Sequence, residues 1–379
     1  MSDRAIEVIS PGLLTTVQDL GRRGYQRYGI PVCGALDPVS LRIANILVGN
    51  PEGEAGLEVT ALGPTVRFTS DSVFAVVGAE FRPEVDGRTV VDTWESVKVS
   101  AGSVLSIGAA SDGLRAYVAV AGGIDVPLVM ESKSTDFKGG FGGFEGRALR
   151  DGDSVPIGYS PHVENWSQTD LPVGISRRPT FGQEFEIRVV LGPQDGEFTE
   201  SGVNAMLTSE YTVSADSDRM GCRLEGPEIA HRVGPDIVSD GSALGSIQVP
   251  GSGQPIVLLA DRGTTGGYTK IATVIGPDIG LLTQAMPGAK VRFSAVSVDE
   301  AHKVLREQEE MLREIKSFVG LDLTGAVSIS SEGSDVQVRQ EDGGAIAVTD
   351  MRTSRTSTRT VSASIDGEEF EFELRTAFQ

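Results

Sequence analysis

Two acidic–basic dipeptides, Asp218-Arg219 and Asp261-Arg262, stand in turn-rich stretches of this sequence. A guanidinium can hold a carboxylate or phosphate through two parallel hydrogen bonds. A neighbouring aspartate can orient an amide N–H or take a proton. The second dipeptide opens the run Asp261-Arg262-Gly263-Thr264-Thr265-Gly266-Gly267-Tyr268, whose glycines leave room for backbone N–H groups to converge on an oxyanion. Lys270 follows Tyr268 by two residues on a predicted strand, so the two side chains share a face. Such chemistry suits a small polar or anionic substrate. Asp261, Arg219, Asp218 and Lys270 are the candidate catalytic residues, and Arg262, Thr264, Thr265, Gly266, Gly267 and Tyr268 are candidate substrate contacts. The competing reading is that the Asp–Arg pairs only stitch turns together.

A second polar run lies near the start, where Thr15, Thr16, Gln18, Asp19, Arg22, Arg23, Tyr25, Gln26 and Arg27 fall between apolar ends. It reads either as a solvated loop or as part of a site. His162, His231 and His302 have no ligand-like spacing, so no protein-bound metal is expected. No G-x-S-x-G elbow occurs, and Cys33 and Cys222 lack an evident histidine partner. The glycine-rich residues 138–147 match neither G-x-G-x-x-G nor the P-loop pattern. They read as a loop that closes over a ligand or partner, or as a plain surface loop.

The elements that must hold these residues are mostly strands. Ile256 to Ala260 is a short apolar run ending at Asp261, the pattern of a buried strand delivering polar groups at its end. Asp37 and Pro38 are a cap and a first-turn residue for a helix whose apolar stripe includes Leu41, Ala44 and Leu47. The following segments LEVTAL, TVRF, VFAVVG, SVLSIG and RAYVAVAGG read as closely spaced strands, which favours an antiparallel barrel or sandwich. A Pro- and Ser-rich stretch places a boundary near residue 175, after which strand patterns resume. Ser297 and Glu300 form a capping box for a helix over about 298–317, its apolar stripe docking on the second block and Glu307, Glu309, Glu310 and Arg313 facing outward. Three segments result: 1–175, 176–319 and an acidic tail, 320–379, ending in a hairpin about Asp366-Gly367.

The 379 residues carry 53 Asp and Glu against 33 Lys and Arg, a net charge of −20. That balance argues against nucleic acid as a partner, because phosphate backbones need an excess of bases. With two distant cysteines, no apolar leader and no membrane-length apolar run, a soluble protein of the reducing cytoplasm is expected.

Several long motifs occur in one order: TTVQDLGRRGYQRYGIPVCGALD, ANILVGNPEGEAGLEVTALGP, SDRMGCRLEGP, SIQVPGSGQPIVLLADRGTTGGYTKIATVIGPD and PGAKVRF. Together they resemble the group that contains the C-type subunit of the prokaryotic 5-oxoprolinase (allophanate hydrolase subunit 2) and the carboxyltransferase domain of urea carboxylase. The resemblance covers roughly residues 5–302. Members commonly have serine where this chain has Cys33, and glutamine where it has Gly263. The resemblance implies two cyclophilin-like β-barrel domains, a mainly β chain, and a site shared with a companion B-type subunit of related fold. Its motifs add Gln18, Asp19, Arg22, Tyr25, Asp37 and Gln248 to the candidate substrate contacts.

For function, the resemblance implies a subunit that works with B-type and A-type partners in the ATP-dependent opening of 5-oxo-L-proline to L-glutamate, with ATP as co-substrate. The alternatives are a biotin-dependent carboxyltransferase subunit acting on urea, and a non-catalytic regulator of a kinase-inhibitor partner. The last hairpin resembles the lead-in to a biotinyl carrier domain. However, no Met-Lys-Met occurs, and the last lysine, Lys316, falls in the amphipathic helix. No biotin is therefore expected on this polypeptide.

Overall fold

A computed structural model describes residues 4–89, 93–161, 163 and 179–319, together with the backbone of five strands between 329 and 375. The chain divides into two compact units, Met1–Val319 and Gly320–Gln379.

In the larger unit, the first block of strands forms two sheets. One has six strands, with Ala5–Ser10 between Ser154–Pro156 and Thr65–Phe68. The other has five strands, in the order Leu14–Gln18, Gly56–Thr60, Asp112–Val120, Ser72–Glu80 and Ser96–Val99. Their apolar faces meet in a core of Ile6, Val17, Leu57, Phe68, Phe74 and Val118, each at most 2% exposed. Helix α1 (Pro38–Leu47) packs on the second sheet, and Asp37 caps it by accepting from Ser40 N at 3.2 Å. Pro38 fits the first turn, where no N–H donor is required.

The second block closes into a seven-stranded barrel. Its closing pair, Glu184–Leu191 with Lys290–Ala295, is parallel, and the other six pairings are antiparallel. Phe185, Ile187, Leu224, Ile247, Val257, Ile271 and Phe293 fill the interior. Helices α2 (Glu200–Thr208) and α3 (Gly276–Thr283) lie against the barrel, and a ribbon of Asp236–Gly241 paired with Thr265–Tyr268 stands outside it. The predicted boundary near 175 falls outside the described residues.

Helix α4 (Val298–Phe318) begins with both halves of the capping box: Glu300 N donates to Ser297 Oγ at 3.2 Å, and Ser297 N to Glu300 Oε2 at 2.8 Å. Its docking differs from the sequence expectation. Glu309, whose side chain is 40% exposed, also takes both Arg42 Nη groups of α1, at 2.6 and 2.8 Å. Leu305 of the predicted stripe is 42% exposed. The helix packs against both α1 and α3, so it clasps both blocks and not the second alone.

In the smaller unit, Ser334–Glu341 pairs with Ile329–Ser331 and Ala345–Asp350. Thr358–Ile365 pairs with Glu368–Arg375 in the predicted hairpin register, and the turn residues 366–367 lie outside the described residues.

Candidate active site

Arg219 enters from the turn before the strand Gly221–Glu225 and reaches the seam between the two blocks. Its Nε and Nη2 donate to Asp261 Oδ2 and Oδ1, both at 2.9 Å. Nη1 donates to Glu58 of the first block, and Nη2 also reaches Gly34 O at 2.7 Å. All three charged side chains are buried, at 8% exposure or less. Gly34 has φ +88°, and a Cβ there would meet Gly21 N at 2.7 Å. Glycine is thus the residue that lets this loop lie close enough for its carbonyl to accept from Arg219.

Glu58 is the best-satisfied acid of the group. Besides Arg219, it accepts from Leu36 N at 2.9 Å and from Tyr117 Oη at 2.7 Å. The same hydroxyl accepts from Asp37 N at 2.8 Å. Gln284, just beyond α3, extends the network: its Oε1 takes the N–H groups of Leu114 and Arg115, and its Nε2 donates to Asp37 Oδ2 and Arg115 O. Arg115 in turn donates to Thr283 O. Among the buried side-chain atoms of these groups only Arg115 Nε lacks an acceptor among the described residues, and a buried network this densely bonded orients its members sharply.

The electrostatics separate the two carboxylates. Burial opposes ionisation of Glu58, yet Arg219, Arg115 and its donors outweigh it and hold the pKa below the ordinary value. Burial likewise opposes the Arg219 charge, but Glu58 and Asp261 keep its pKa above the usual range. Asp261 goes the other way. Burial, followed by repulsion from Glu58 and Asp136, prevails over Arg219 and raises its pKa. Two carboxylates sharing one guanidinium, with unequal donor sets, is an arrangement that divides acid–base roles.

Cys33 lies at the junction of this seam with the first polar run, its N–H donating to Ala260 O at 3.2 Å. Burial, with Asp261 and Asp136 adding to it, raises the thiol far above its ordinary value, which excludes a resting thiolate nucleophile at neutral pH. Burial pushes Cys222 up to about 11.

The run from Thr15 to Arg22 is buried and not a solvated loop. Asp19 accepts from Gly21 N, Ser132 Oγ, Lys133 N and Ser134 Oγ. Arg22 is fully buried, stacked 4.9 Å from the Phe141 ring centroid, with Nη2 on Ser134 O and Nη1 lacking an acceptor. Gln18 bonds through Nε2 to Thr16 and Thr135, leaving Oε1 unpartnered. Arg23, Gln26 and Arg27 are exposed, and Tyr25 is half-buried at the start of the short helix Gln26–Tyr28. The glycine-rich segment folds back on this run, where Gly142 has φ +68° and a Cβ would meet Ser134 O at 2.2 Å and Arg22 Nη2 at 2.6 Å.

The remaining candidates fall near the ribbon. Gln248, Arg262, Thr265, Gly266, Gly267 and Tyr268 line one cleft of about 280 Å³ on the outside of the barrel. Thr264 O accepts from Ser242 N at its edge. Lys270 is the cross-strand partner of Gln248, and its buried Nζ lies 3.5 Å from Asp240 Oδ2 without a hydrogen bond. Asp218 is exposed and accepts from Met220 N and Gly221 N, which closes the turn that presents Arg219. The structure thus brings together Arg219, Asp261 and Asp37, gathers the ribbon residues separately, and leaves Asp218 and Tyr25 outside both groups.

Sequence reasoning missed Glu58, Tyr117, Arg115, Asp136 and Gln284. The one available signal was Glu58 itself, an acid between Leu57 and Val59 in an otherwise apolar strand. Among the described residues, no group of three or more His, Cys, Asp or Glu could hold a metal ion, and no helix is long and apolar enough to cross a membrane.

Residues 28–295 match the family model described as carboxyltransferase domain, subdomain A and B. The chain is 41% identical over 310 residues to the C-type subunit of the Escherichia coli 5-oxoprolinase, covering 82% of this chain and 97% of that protein. It is 37% identical over 314 residues to the Haemophilus influenzae protein of the same name, covering 83% and 98%. The crystal structure of the Kluyveromyces lactis urea carboxylase superposes with a TM-score of 0.76 at 28% identity, covering 89% of this chain and 32% of that one. The chain thus spans about a third of the yeast enzyme and nearly all of each bacterial relative.

Proposed function

Because the chain belongs to the carboxyltransferase domain, subdomain A and B, family, we propose that it is the C-type subunit of a 5-oxoprolinase. In this reading the complex converts 5-oxo-L-proline, ATP and water to L-glutamate, ADP and phosphate. The observation that carries it is identity to two subunits of that name along 97% and 98% of their lengths.

The seam provides chemistry that suits a lactam. Opening an amide ring needs a group to move a proton and donors for the oxygen that gains charge. Asp261, with its pKa raised by burial and by neighbouring carboxylates, is assigned the proton transfer. Arg219 and Glu58 are assigned its positioning. Gly263 and Thr264, whose N–H groups make no hydrogen bond among the described residues, are assigned to the oxyanion. Lys270, Arg262 and the ribbon residues then contact substrate. The chain carries no nucleotide loop that its sequence reveals, so ATP use and turnover require B-type and A-type partners.

The second reading is carboxyl transfer to urea by a chain that depends on a separate biotin carrier. The likeness to the yeast urea carboxylase favours it. Omission tests the first reading: the three-subunit complex is assayed for ATP-dependent glutamate release with and without this chain. Release that needs the chain supports the proposal, and release unchanged by its omission removes the role.

A further inference from the structure

The cleft beside the ribbon differs in charge from the rest of the molecule. The chain holds 53 acids against 33 bases, yet no acid lines this cleft and two arginines, Arg223 and Arg262, do. Neither forms an ion pair among the described residues. Arg262 is only 7% exposed. Its Nε donates to Ser242 O at 2.9 Å and its Nη1 to Leu259 O at 3.1 Å, while Nη2 has no acceptor among the described residues. Burial lowers its pKa, as expected for a cation held by carbonyl oxygens alone. A buried guanidinium without a counter-charge is costly, and an anion from outside would offset that cost.

Other groups lining the cleft are also unbonded. Among the described residues the Gln248 amide and the Ser242 hydroxyl make no side-chain hydrogen bond, and a Cβ on Gly266 would lie 3.6 Å from Gln248 Oε1 and 3.2 Å from Ser242 Oγ. Both therefore reach the same spot beneath the ribbon. Ile256 and Leu258 supply an apolar wall. A small apolar-walled cleft with a few convergent polar groups is how proteins hold a small ligand.

We propose that this cleft is an anion subsite, in which Arg262, Gln248 and Ser242 bind the carboxylate of a small substrate or a phosphate group. The subsite needs only an anion. Its assignment to the carboxylate of 5-oxoproline rests on the reaction proposed above.

Titration calorimetry of the full chain tests it with three probes: 5-oxo-L-proline, its neutral carboxamide, and inorganic phosphate. Arg262→Gln removes the charge. Gln248→Leu removes a polar group that makes no hydrogen bond among the described residues, so its melting temperature should match wild type. The wild-type chain should bind an anion and not the carboxamide, and both variants should weaken that anion about 10-fold to 100-fold, as for loss of a hydrogen bond to a charged group. Dependence seen for 5-oxoproline assigns a carboxylate site, and dependence seen for phosphate assigns a phosphate site. A wild-type chain that binds neither anion, or a Gln248→Leu chain that binds as wild type does, overturns the proposal. Turnover of 5-oxoproline by the complex with KM unchanged in both variants would sink the subsite and keep the reaction. Variant-sensitive anion binding in a complex without turnover would do the reverse.

Discussion

Replacing Arg219 with methionine should unlock the seam. The substitution keeps an apolar stem of similar length and removes the guanidinium that serves Asp261, Glu58 and Gly34 O. Asp261 is then buried without its guanidinium partner, while Glu58 keeps Arg115 and its neutral donors. Removing one member of a buried ion pair costs about 3–5 kcal/mol, against a total stability of about 5–15 kcal/mol for a native protein. At this size, that corresponds to a melting temperature lower by roughly 5–15 °C. The pH dependence identifies the cause. Without Arg219, the Asp261 carboxyl, which burial already raises, moves further above its unfolded value, so the native state loses stability as pH rises through it. The gap from wild type should therefore be wider at pH 8 than at pH 5. Thermal melts of both proteins across that range measure it. A variant melting within about 1 °C of wild type at every pH would refute the assignment of Arg219 as the charge that joins the blocks.

Asp261→Asn should lower turnover of the reconstituted complex by about 10²-fold or more, the usual scale for loss of positioned acid–base catalysis. The wild-type acid limb of kcat/KM should lie above the ordinary aspartate value of 3.8 and should vanish in the variant. An unchanged limb in Asp261→Asn would assign it elsewhere. Gln284→Leu deletes four hydrogen bonds at the seam. It should cost roughly 2–6 kcal/mol at about 0.5–1.5 kcal/mol for each bond, read by urea denaturation. A loss below 1 kcal/mol would mean the seam relaxes to satisfy those groups. In the wild type, Glu58 supplies stability above its ordinary pKa of 4.5 that is lost as pH falls through its lower folded value. Glu58→Gln should flatten that acid limb, and an acid limb identical to wild type would exclude the role.

Local features were legible in the sequence because their causes are local. The capping box of Ser297 and Glu300, the Asp37-Pro38 helix start and the hairpin through residues 358–375 each depend on neighbours a few positions apart. Arg219 and Asp261 stood out as chemistry, although they bond to each other and not to the residues beside them. Glu58 did not, since what makes an acid tolerable in a core strand is a partner 161 residues away. Gln284 was hidden for the same reason, its four bonds running to Asp37, Leu114 and Arg115. The polar run of Thr15 to Arg22 had the composition of a loop, but a strand ladder with Gly56–Thr60 and the segment after Ser132 bury it. The pairing of Glu309 was hidden because the helix pattern shows which face is apolar and not that Arg42 would arrive beside it.

The chemistry of the assembled complex is read from its response to avidin. The three subunits are combined with 5-oxo-L-proline and ATP, and glutamate and ADP are followed with and without avidin. The 5-oxoprolinase reading predicts equal amounts of glutamate and ADP, none from this chain alone, and rates untouched by avidin. Avidin-sensitive ATP use, with urea carboxylated and no glutamate formed, would contradict it.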